Sequence, residues 1–591
     1  MMFNKLDRLT PRVTVIAFIG VLFLQCVIFH YLCFDSVYIS SLWKNPLVFW
    51  AFYLPKIGIS LAIGSVAFII KNKGWTIVMS ILTSLWIIAE CIYYRANRIF
   101  LDAHSFFLID NMSGFWSSVP VYFQWLDLIV FLPTLLLILL VCVFRAKYKS
   151  YRSAIFAFLL GVVFLVGGLL TIQWKYYKQN GIHDPRGLFY NPFTDLVVGH
   201  YFFTKNAYII DNSVLHALVY DVKSLIELPF ESKHYVMSDD ELVYAHQFTH
   251  THTHTHTHTH THTHTHNQRK RIIIILVESL ESWAVTPSIM PNLCRFIENH
   301  NVLYATKVVS QTRGGTSSDG QMIINTGLLP LQEGAVCQRY PNNVFPSISE
   351  NYTSAALIMP GDLGIWNQKQ MSDAYKIDTN YLSPHSLDHE TFVILDSIYN
   401  KHDYLLAITM ATHSPFMFCA GYSDLELPKD MPTLLSNYIK SMNYSDACFA
   451  TLLSKIDTDS ILKNSVICFV GDHIIFDTNM RNEFSNYCRA KNLSYDIWNN
   501  HTTIIAYSPD FVRTEIIDSK TYQMDVYPTL LQLINCNDYY WRGFGVNLLD
   551  SMACHNRPVT EEDACMLSDK LIRANFFKKY SINEEKNCLY N

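Results

Sequence analysis

The sequence predicts an α-helical membrane domain of five spans joined to an α/β domain with a mainly parallel sheet. Three observations lead there. Half of the 591 residues are hydrophobic and only 16% are charged, with a mean hydropathy of +0.14. That average is too apolar for an ordinary soluble protein and too polar for one lying wholly in a membrane. Apolar stretches long enough to cross a bilayer end by residue 175. From Arg271 onward, short aliphatic runs alternate with longer helical stretches, as in a parallel sheet covered on both faces. The formal net charge of -5 argues against nucleic-acid binding through bulk positive charge.

The five apolar segments lie near 13–34, 47–70, 75–94, 125–144 and 154–174, and a span takes roughly 20 residues. Lys5, Arg8 and Arg12 precede the first, Lys71 and Lys73 follow the second, and Arg145, Lys147, Lys149 and Arg152 follow the fourth. The alternate loops hold Lys44 alone, or Arg95 and Arg98 beside Asp102 and Asp110. The positive-inside rule therefore places the N-terminus in the cytoplasm and everything after Trp174 outside. The first segment is long and lacks a small-residue cleavage site, which favours a retained span over a signal peptide. Lys56 and Glu90 are charges inside spans and stand as default functional candidates. Cys26, Cys33, Cys91 and Cys142 fall in apolar segments and read as small hydrophobes. No zinc spacing or CxxC pair occurs among the cysteines after residue 290, and export would permit disulfides of unknown connectivity.

The domain plan is residues 1–175 for the membrane part, 176–270 for a juxtamembrane linker and 271–591 for the catalytic candidate. Within the linker, 212–225 reads equally as an amphipathic surface helix or a packed domain-edge helix. Residues 249–266 are nine Thr-His pairs. With no apolar stripe, the tract reads as a tether, and a His tract can also buffer metal. An uninterrupted AC dinucleotide run would encode it, and slippage there would shift the frame just ahead of Arg271. Mixed Thr and His codons would remove that idea.

Strand-like runs recur at 272–277, 355–359, 404–409, 466–470 and 503–507, with helical stretches such as 434–455 and 526–533 between them. The first run, IIIILVESLES, ends on Glu278. A second buried-strand run, SVICFVGDH, ends on Asp472 and His473. Ligands bind beyond the carboxyl ends of strands in open α/β sheets, so two strands delivering oxygen and nitrogen donors to one edge suggest a metal site. Between them RGGTSSDGQ leads into an apolar stretch, as a loop opening a helix. A hydroxyl at a helix N-terminus is most often a cap. Beside two sets of strand-end ligands it becomes a candidate nucleophile activated by metal.

VESLES, GGTSSDGQ, ATHSPF at 411–416, GDH at 471–473 and MDVYPTLLQL at 524–533 fall in the order seen in lipoteichoic acid synthases. The chain thus resembles that family of the alkaline phosphatase/sulfatase superfamily, whose members also carry five spans before an extracytoplasmic catalytic domain. The resemblance implies one divalent ion, commonly manganese, with Mg2+ or Zn2+ as alternatives. Its ligands would be Glu278, a hydroxyl in the 316–318 run, Asp472 and His473. Anchoring the family's Thr-Ser-Asp pattern on Asp319 puts Ser317 at the nucleophile, with Thr316 as runner-up. His413 would hold phosphate or pass a proton to the leaving alkoxide. The family's Trp-Asn-Arg grip becomes Trp366, Asn367 and Gln368 here, with Met359 where a His would align. Gln cannot form the ionic fork that Arg makes with phosphate, so Arg313 or Lys369 would substitute, or the head group differs.

The implied activity is a membrane-anchored transferase. It would move a phosphoglycerol- or phosphoethanolamine-type head group from a phospholipid donor to an envelope glycan or lipid acceptor, through a phospho-enzyme. Its place would be the cytoplasmic membrane with the catalytic domain outside, and no nucleic acid is involved. A sulfatase or phosphoesterase is the alternative enzyme, although Ser317 and Ser318 lack the Pro and Arg of a C/S-x-P-x-R motif. An impaired envelope scaffold is the third reading.

Overall fold

The computed structural model describes residues 2–33, 46–70, 74–97, 100–101, 119–143, 149–180, 213–219, 221–222, 226, 236–249, 269–331, 334–385, 387–414, 416, 419–475, 478–495, 497, 501–536 and 538–578. Nearly all of the Thr-His tract and most of the charged loops between spans lie outside these residues.

Among the described residues, five helices are long and apolar enough to cross a membrane: Val13–Cys33, Pro46–Phe68, Gly74–Arg95, Trp125–Cys142 and Tyr151–Ile172. They fall where the hydropathy pattern predicts. They belong to a unit formed by Met1–Ala103 with Val119–Leu228. Inside it, buried polar side chains supply cross-links between the helices. Gln25 is fully buried and donates to Ser80 O at 3.0 Å and Ser84 Oγ at 2.8 Å, joining the first span to the third. Both charges within spans are engaged. Lys56 donates to Phe52 O at 3.0 Å and lies 3.8 Å from the Phe52 ring centroid, and Glu90 accepts from Leu101 N at 2.8 Å. Arg95 forms a buried two-armed pair with Asp127 at 2.6 and 2.8 Å. Val214, Leu215 and Ala217 pack into this unit's core, so the described part of the 212–225 stretch is a packed helix.

The second unit is His104–Ser118 with Pro229–Asn591. Its sheet contains β1 (Ile272–Val277), β2 (Val302–Val309), β3 (Ala355–Pro360), β4 (Thr379–Ser383), β5 (Tyr404–Ile408), β6 (Val466–Gly471), β7 (His501–Tyr507), β8 (Glu515–Ile517) and β9 (Thr521–Tyr522). The order is β4-β3-β5-β1-β6-β7-β2-β8, with β9 pairing β2. From β4 to β6 every pairing is parallel, and β7 runs antiparallel to both its neighbours. The mainly parallel sheet of the prediction is therefore present. All six β1 residues are at most 2% exposed, so each aliphatic side chain contributes about 1.5–3 kcal/mol of burial. This explains the uninterrupted apolar run, since a central strand covered on both faces has no solvent side to alternate with.

Strand β2 was not among the predicted runs. It reads VLYATKVV with four residues only half buried, because its polar side chains meet partial solvent. Strand β4 is an edge strand with similar exposure. Four helices frame the site: α1 (Ser317–Thr326), α2 (Asp388–Ile398), α3 (Thr433–Leu453) and α4 (Thr478–Ala490).

Candidate active site

Parallel register brings the donors together. Val277 of β1 lies opposite Gly471 of β6, so the next residues, Glu278 and Asp472, leave the sheet at one level. Glu278, Asp472 and His473 each offer a ligand atom within 4.8 Å of the others, and all three are buried. His473 Nε2 is 3.2 Å from Glu278 Oε1 and 3.5 Å from Asp472 Oδ2. His473 Nδ1 faces Ile474 O at 3.0 Å, a bond that leaves Nε2 to offer a lone pair once the ring is neutral.

The backbone turns that follow the strands are held by dedicated bonds. Thr409 Oγ1 accepts from Glu278 N at 3.0 Å, and Thr412 Oγ1 donates to Glu278 O. Asp472 Oδ1 accepts from Ser279 N at 2.8 Å and from its neighbour His473 N at 2.6 Å. Asp472 Oδ2 is buried and makes no hydrogen bond within normal distance among the described residues. A buried carboxylate oxygen with acceptor capacity to spare, beside a second carboxylate and an imidazole, is a donor set that fits a divalent cation once the site gives up its protons.

The 313–316 loop meets this cluster through α1. Thr316 takes φ 44 and ψ −114, a strained corner that turns the chain into the helix. Ser317, in the first turn, donates its hydroxyl to Glu278 Oε2 at 3.0 Å and lies 3.3 Å from His473 Nε2. The chain therefore brings Ser317 into the cluster, while Thr316 supplies the backbone corner. Asp319 folds the loop over itself: its Oδ2 accepts from Arg313 N at 2.8 Å and Gly315 N at 2.9 Å. Gly320 lets α1 lie flush against the end of β6. A Cβ there would sit 2.6 Å from Asp472 O, a backbone atom that cannot yield.

Charge in the cluster follows from burial and proximity. Burial lowers the affinity of His473 for a proton, but the Asp472 and Glu278 carboxylates outweigh it and carry its pKa up to about 10. Burial pushes Glu278 up, yet the His473 charge and hydrogen bond, aided by His413, hold it well below the usual carboxylate range. Asp472 rises to about 8, through burial first and then the Glu278 charge. Burial also lifts Asp319 to about 7 against the pull of the Arg313 and Gly315 amides.

His413 follows β5 and is half buried, with Nδ1 2.7 Å from Ser414 O. Its charge is felt by Glu278. The grip segment reaches the start of α1 through shared neighbours. Asn367 donates to Cys337 O at 2.9 Å, and Cys337 Sγ lies 3.4 Å from Ser318 Oγ. Trp366 and Asn367 both hold positive φ, 54 and 48. Gln368 is 2% exposed and its amide points to Ser372 Oγ at 3.4 Å, so it is folded inward. Arg313 sends its guanidinium to Cys565 Sγ at 3.2 Å, and Lys369 is exposed.

Residues outside the sequence reading also build the site. Glu281 is fully buried and accepts from Trp283 Nε1 at 2.6 Å and Ile475 N at 2.7 Å. Arg481 of α4 pairs with it and donates Nε to Ile475 O at 2.7 Å. The pair bolts the turn after β1 to the turn carrying Asp472 and His473. Asp388 of α2 accepts from Met410 N at 2.8 Å and Ala411 N at 3.0 Å, steadying the approach to His413. Gln523 donates to Gly471 O at 3.0 Å. The second Glu of VESLES was a visible signal, but nothing in the sequence pairs it with Arg481.

Residues 2–181 match the family described as Lipoteichoic acid synthase N-terminal domain, and residues 270–536 match the one described as Sulfatase. Lipoteichoic acid synthase 2 of Bacillus subtilis is 24% identical over 46% of this chain and 46% of its own length. Lipoteichoic acid synthase of Staphylococcus aureus is 21% identical over 80% of this chain and 74% of its own. The match thus spans less than half of the Bacillus relative and about three quarters of the Staphylococcus one. Among solved structures, the lipooligosaccharide phosphoethanolamine transferase A of Neisseria meningitidis shares the fold, with TM-score 0.51 at 14% identity over 90% of this chain and 96% of that one. With a stretch that matches the lipoteichoic acid synthase N-terminal domain followed by one that matches the sulfatase family, the chain is homologous to the lipoteichoic acid synthases, within the alkaline phosphatase/sulfatase superfamily.

Proposed function

We propose that this protein transfers a phosphoryl-linked head group, of phosphoglycerol or phosphoethanolamine type, from a membrane phospholipid to an envelope glycan or lipid. The observation that carries this reading is the Ser317 hydroxyl, held between Glu278 and His473 in the first turn of a helix. Helix N-termini favour anions, so a phosphate approaching Ser317 meets aligned backbone N–H groups. The apolar helices keep such a site next to a lipid donor, which favours transfer over hydrolysis of soluble esters.

Glu278, Asp472, His473 and Ser317 would hold one divalent ion, Mn2+ first and Mg2+ or Zn2+ as alternatives. Such an ion lowers the pKa of a bound hydroxyl and neutralises phosphoryl oxygen charge. Ser317 Oγ gives up its proton to solvent and attacks the donor phosphorus, and the bond to the diacylglycerol oxygen breaks. His413 gives the leaving alkoxide its proton. The acceptor hydroxyl or amine, returning a proton to His413, then attacks the same phosphorus; the Ser317 Oγ–P bond breaks and Ser317 takes its proton back from solvent. In this reading residues 1–175 form the membrane domain with the N-terminus in the cytoplasm, 176–270 the linker and 271–591 the catalytic domain outside, in the cytoplasmic membrane. The inward fold of Gln368 favours a head-group contact built differently from the family's Trp-Asn-Arg grip. Trp366, Asn367 and Arg313 remain the substrate-side candidates.

The test is to incubate the full-length protein with phospholipid radiolabelled at phosphorus, quench, and map the label. Label on Ser317, lost in Ser317→Ala and retained in Thr316→Ala, is the expected result. Turnover without any labelled protein would instead support a hydrolase acting by direct water attack. Bound metal with neither label nor turnover would support a scaffold.

A further inference from the structure

The first and third spans carry a sulfur pair that the reaction does not use. Cys33 closes the first apolar helix, and Cys91 lies four residues before the end of the third, at Arg95. They are 58 positions apart in the chain, yet their Sγ atoms are 3.4 Å from each other. That is a contact distance, and disulfide formation needs only a further approach to about 2.05 Å. The two helix ends are locked in this relation by rings. Phe100 stacks on Tyr94 of the third span at 4.3 Å and packs against Phe29 of the first at 5.4 Å. Cys33 is partly buried while Cys91 is fully buried, so Cys33 is the sulfur nearer the surface and Cys91 is placed to resolve the bond.

Both sulfurs lie at the helix ends opposite the basic N-terminal residues. On the orientation given under the proposed function, that end faces outside the cell, where disulfides persist. We propose that Cys33 and Cys91 are a site of oxidative modification and are joined by a disulfide that staples the first span to the third. The co-reactant is a disulfide-bearing thiol oxidase or a small organic disulfide. Cys33 thiolate attacks one sulfur of the co-reactant's disulfide, whose S–S bond breaks to give a mixed disulfide and a first free thiolate; Cys91 thiolate then attacks Cys33 Sγ and frees the second sulfur, so the co-reactant leaves as a dithiol or as two thiols. Two S–H bonds are lost and one S–S bond forms. Two protons and two electrons pass to the co-reactant.

The experiment uses full-length protein in membranes from aerobically grown cells. Free thiols are blocked with N-ethylmaleimide under denaturing conditions without reductant, and peptides are then mapped by mass spectrometry. The expected result is a linked peptide pair containing Cys33 and Cys91, absent in Cys33→Ser and in Cys91→Ser, with Cys26 and Cys142 carrying maleimide. Maleimide on both Cys33 and Cys91 of the wild type would overturn the proposal. Protease added to wall-stripped cells separates the two ways this could fail. Digestion of the residues after 271 with both thiols free refutes the cross-link alone. Protection of those residues with both thiols free refutes the orientation as well.

Discussion

Replacing Glu281 with Gln tests whether the ligand turns are held by the buried ion pair. The carboxylate and the Arg481 side chain are 0% and 4% exposed, and breaking such a pair leaves a buried charge at a cost of about 3–5 kcal/mol. Only part of that loss should fall on the metal site. The Asp472 turn keeps its bonds to Ser279 N at 2.8 Å and to Gln523, whereas the 474–475 segment loses its main anchor. Residues that orient metal ligands typically change affinity 10–100-fold, or about 1.4–2.8 kcal/mol. The assay is calorimetric titration of Mn2+ into the metal-free full-length protein, with thermal unfolding alongside. Asp446→Ala is the matched control. It removes a buried cap that accepts from Asn292 N and Leu293 N, both at 2.8 Å, and has no bond to the ligand turns. Glu281→Gln should lose 10–100-fold in Mn2+ affinity, while Asp446→Ala should lose stability and keep its affinity. Wild-type affinity in Glu281→Gln, or an equal loss in the control, would refute the clamp.

Metal affinity should rise with pH. His473, at about 10, and Asp472, at about 8, hold protons at neutrality in the metal-free site, so binding must expel them and weakens as pH falls. Titration at neutral pH in buffers of different ionisation enthalpy should show proton release, and a buffer-independent heat would contradict this. Gly320→Ala should cost about 1–3 kcal/mol, because the new methyl meets Asp472 O. It should also weaken Mn2+ binding, and an unchanged melting temperature with unchanged binding would show that α1 does not lie flush on β6. Asp388→Ala leaves the half-buried Met410 amide and the buried Ala411 amide without their acceptor, at about 1–3 kcal/mol for the buried one. Label transfer from phospholipid should fall with little change in Mn2+ affinity, and equal loss of both would place Asp388 in general folding instead.

What the sequence revealed depended on how local the physical signal was. Strands β1 and β6 were legible because burial on both faces leaves an unbroken aliphatic run. Strands β2 and β4 were not, because their partly exposed faces admit Thr, Lys, Asn and Tyr. The choice of Ser317 over Thr316 came from counting back from Asp319, a local spacing, whereas the contacts of Ser317 with Glu278 and His473 join segments 39 and 156 positions apart. The Glu281–Arg481 pair joins residues 200 positions apart, and the Cys33–Cys91 contact joins residues 58 apart. Neither has a spacing rule, since each depends on which helix packs on which.

The same geometry explains why the chemistry was easier to read than the substrate. Neighbouring parallel strands lie about 4.8 Å apart, and the Val277–Gly471 pairing ends β1 and β6 at one level. Donors on the next residue of each strand must then flank a gap of ionic size, wherever they fall in the chain. The grip segment has no such constraint. It follows β3, which is separated from β1 by β5, and it is shaped by a loop with consecutive positive φ at Trp366 and Asn367. Gln368, where the family has Arg, turns inward to Ser372 without disturbing any bond of the ligand cluster. Sheet register thus fixes where Glu278, Asp472 and His473 meet, while the 366–368 segment is a loop that can be rebuilt alone. On the proposed function, Gln368 in place of the Arg bears on which head group is taken and leaves the proposal for Ser317 unchanged.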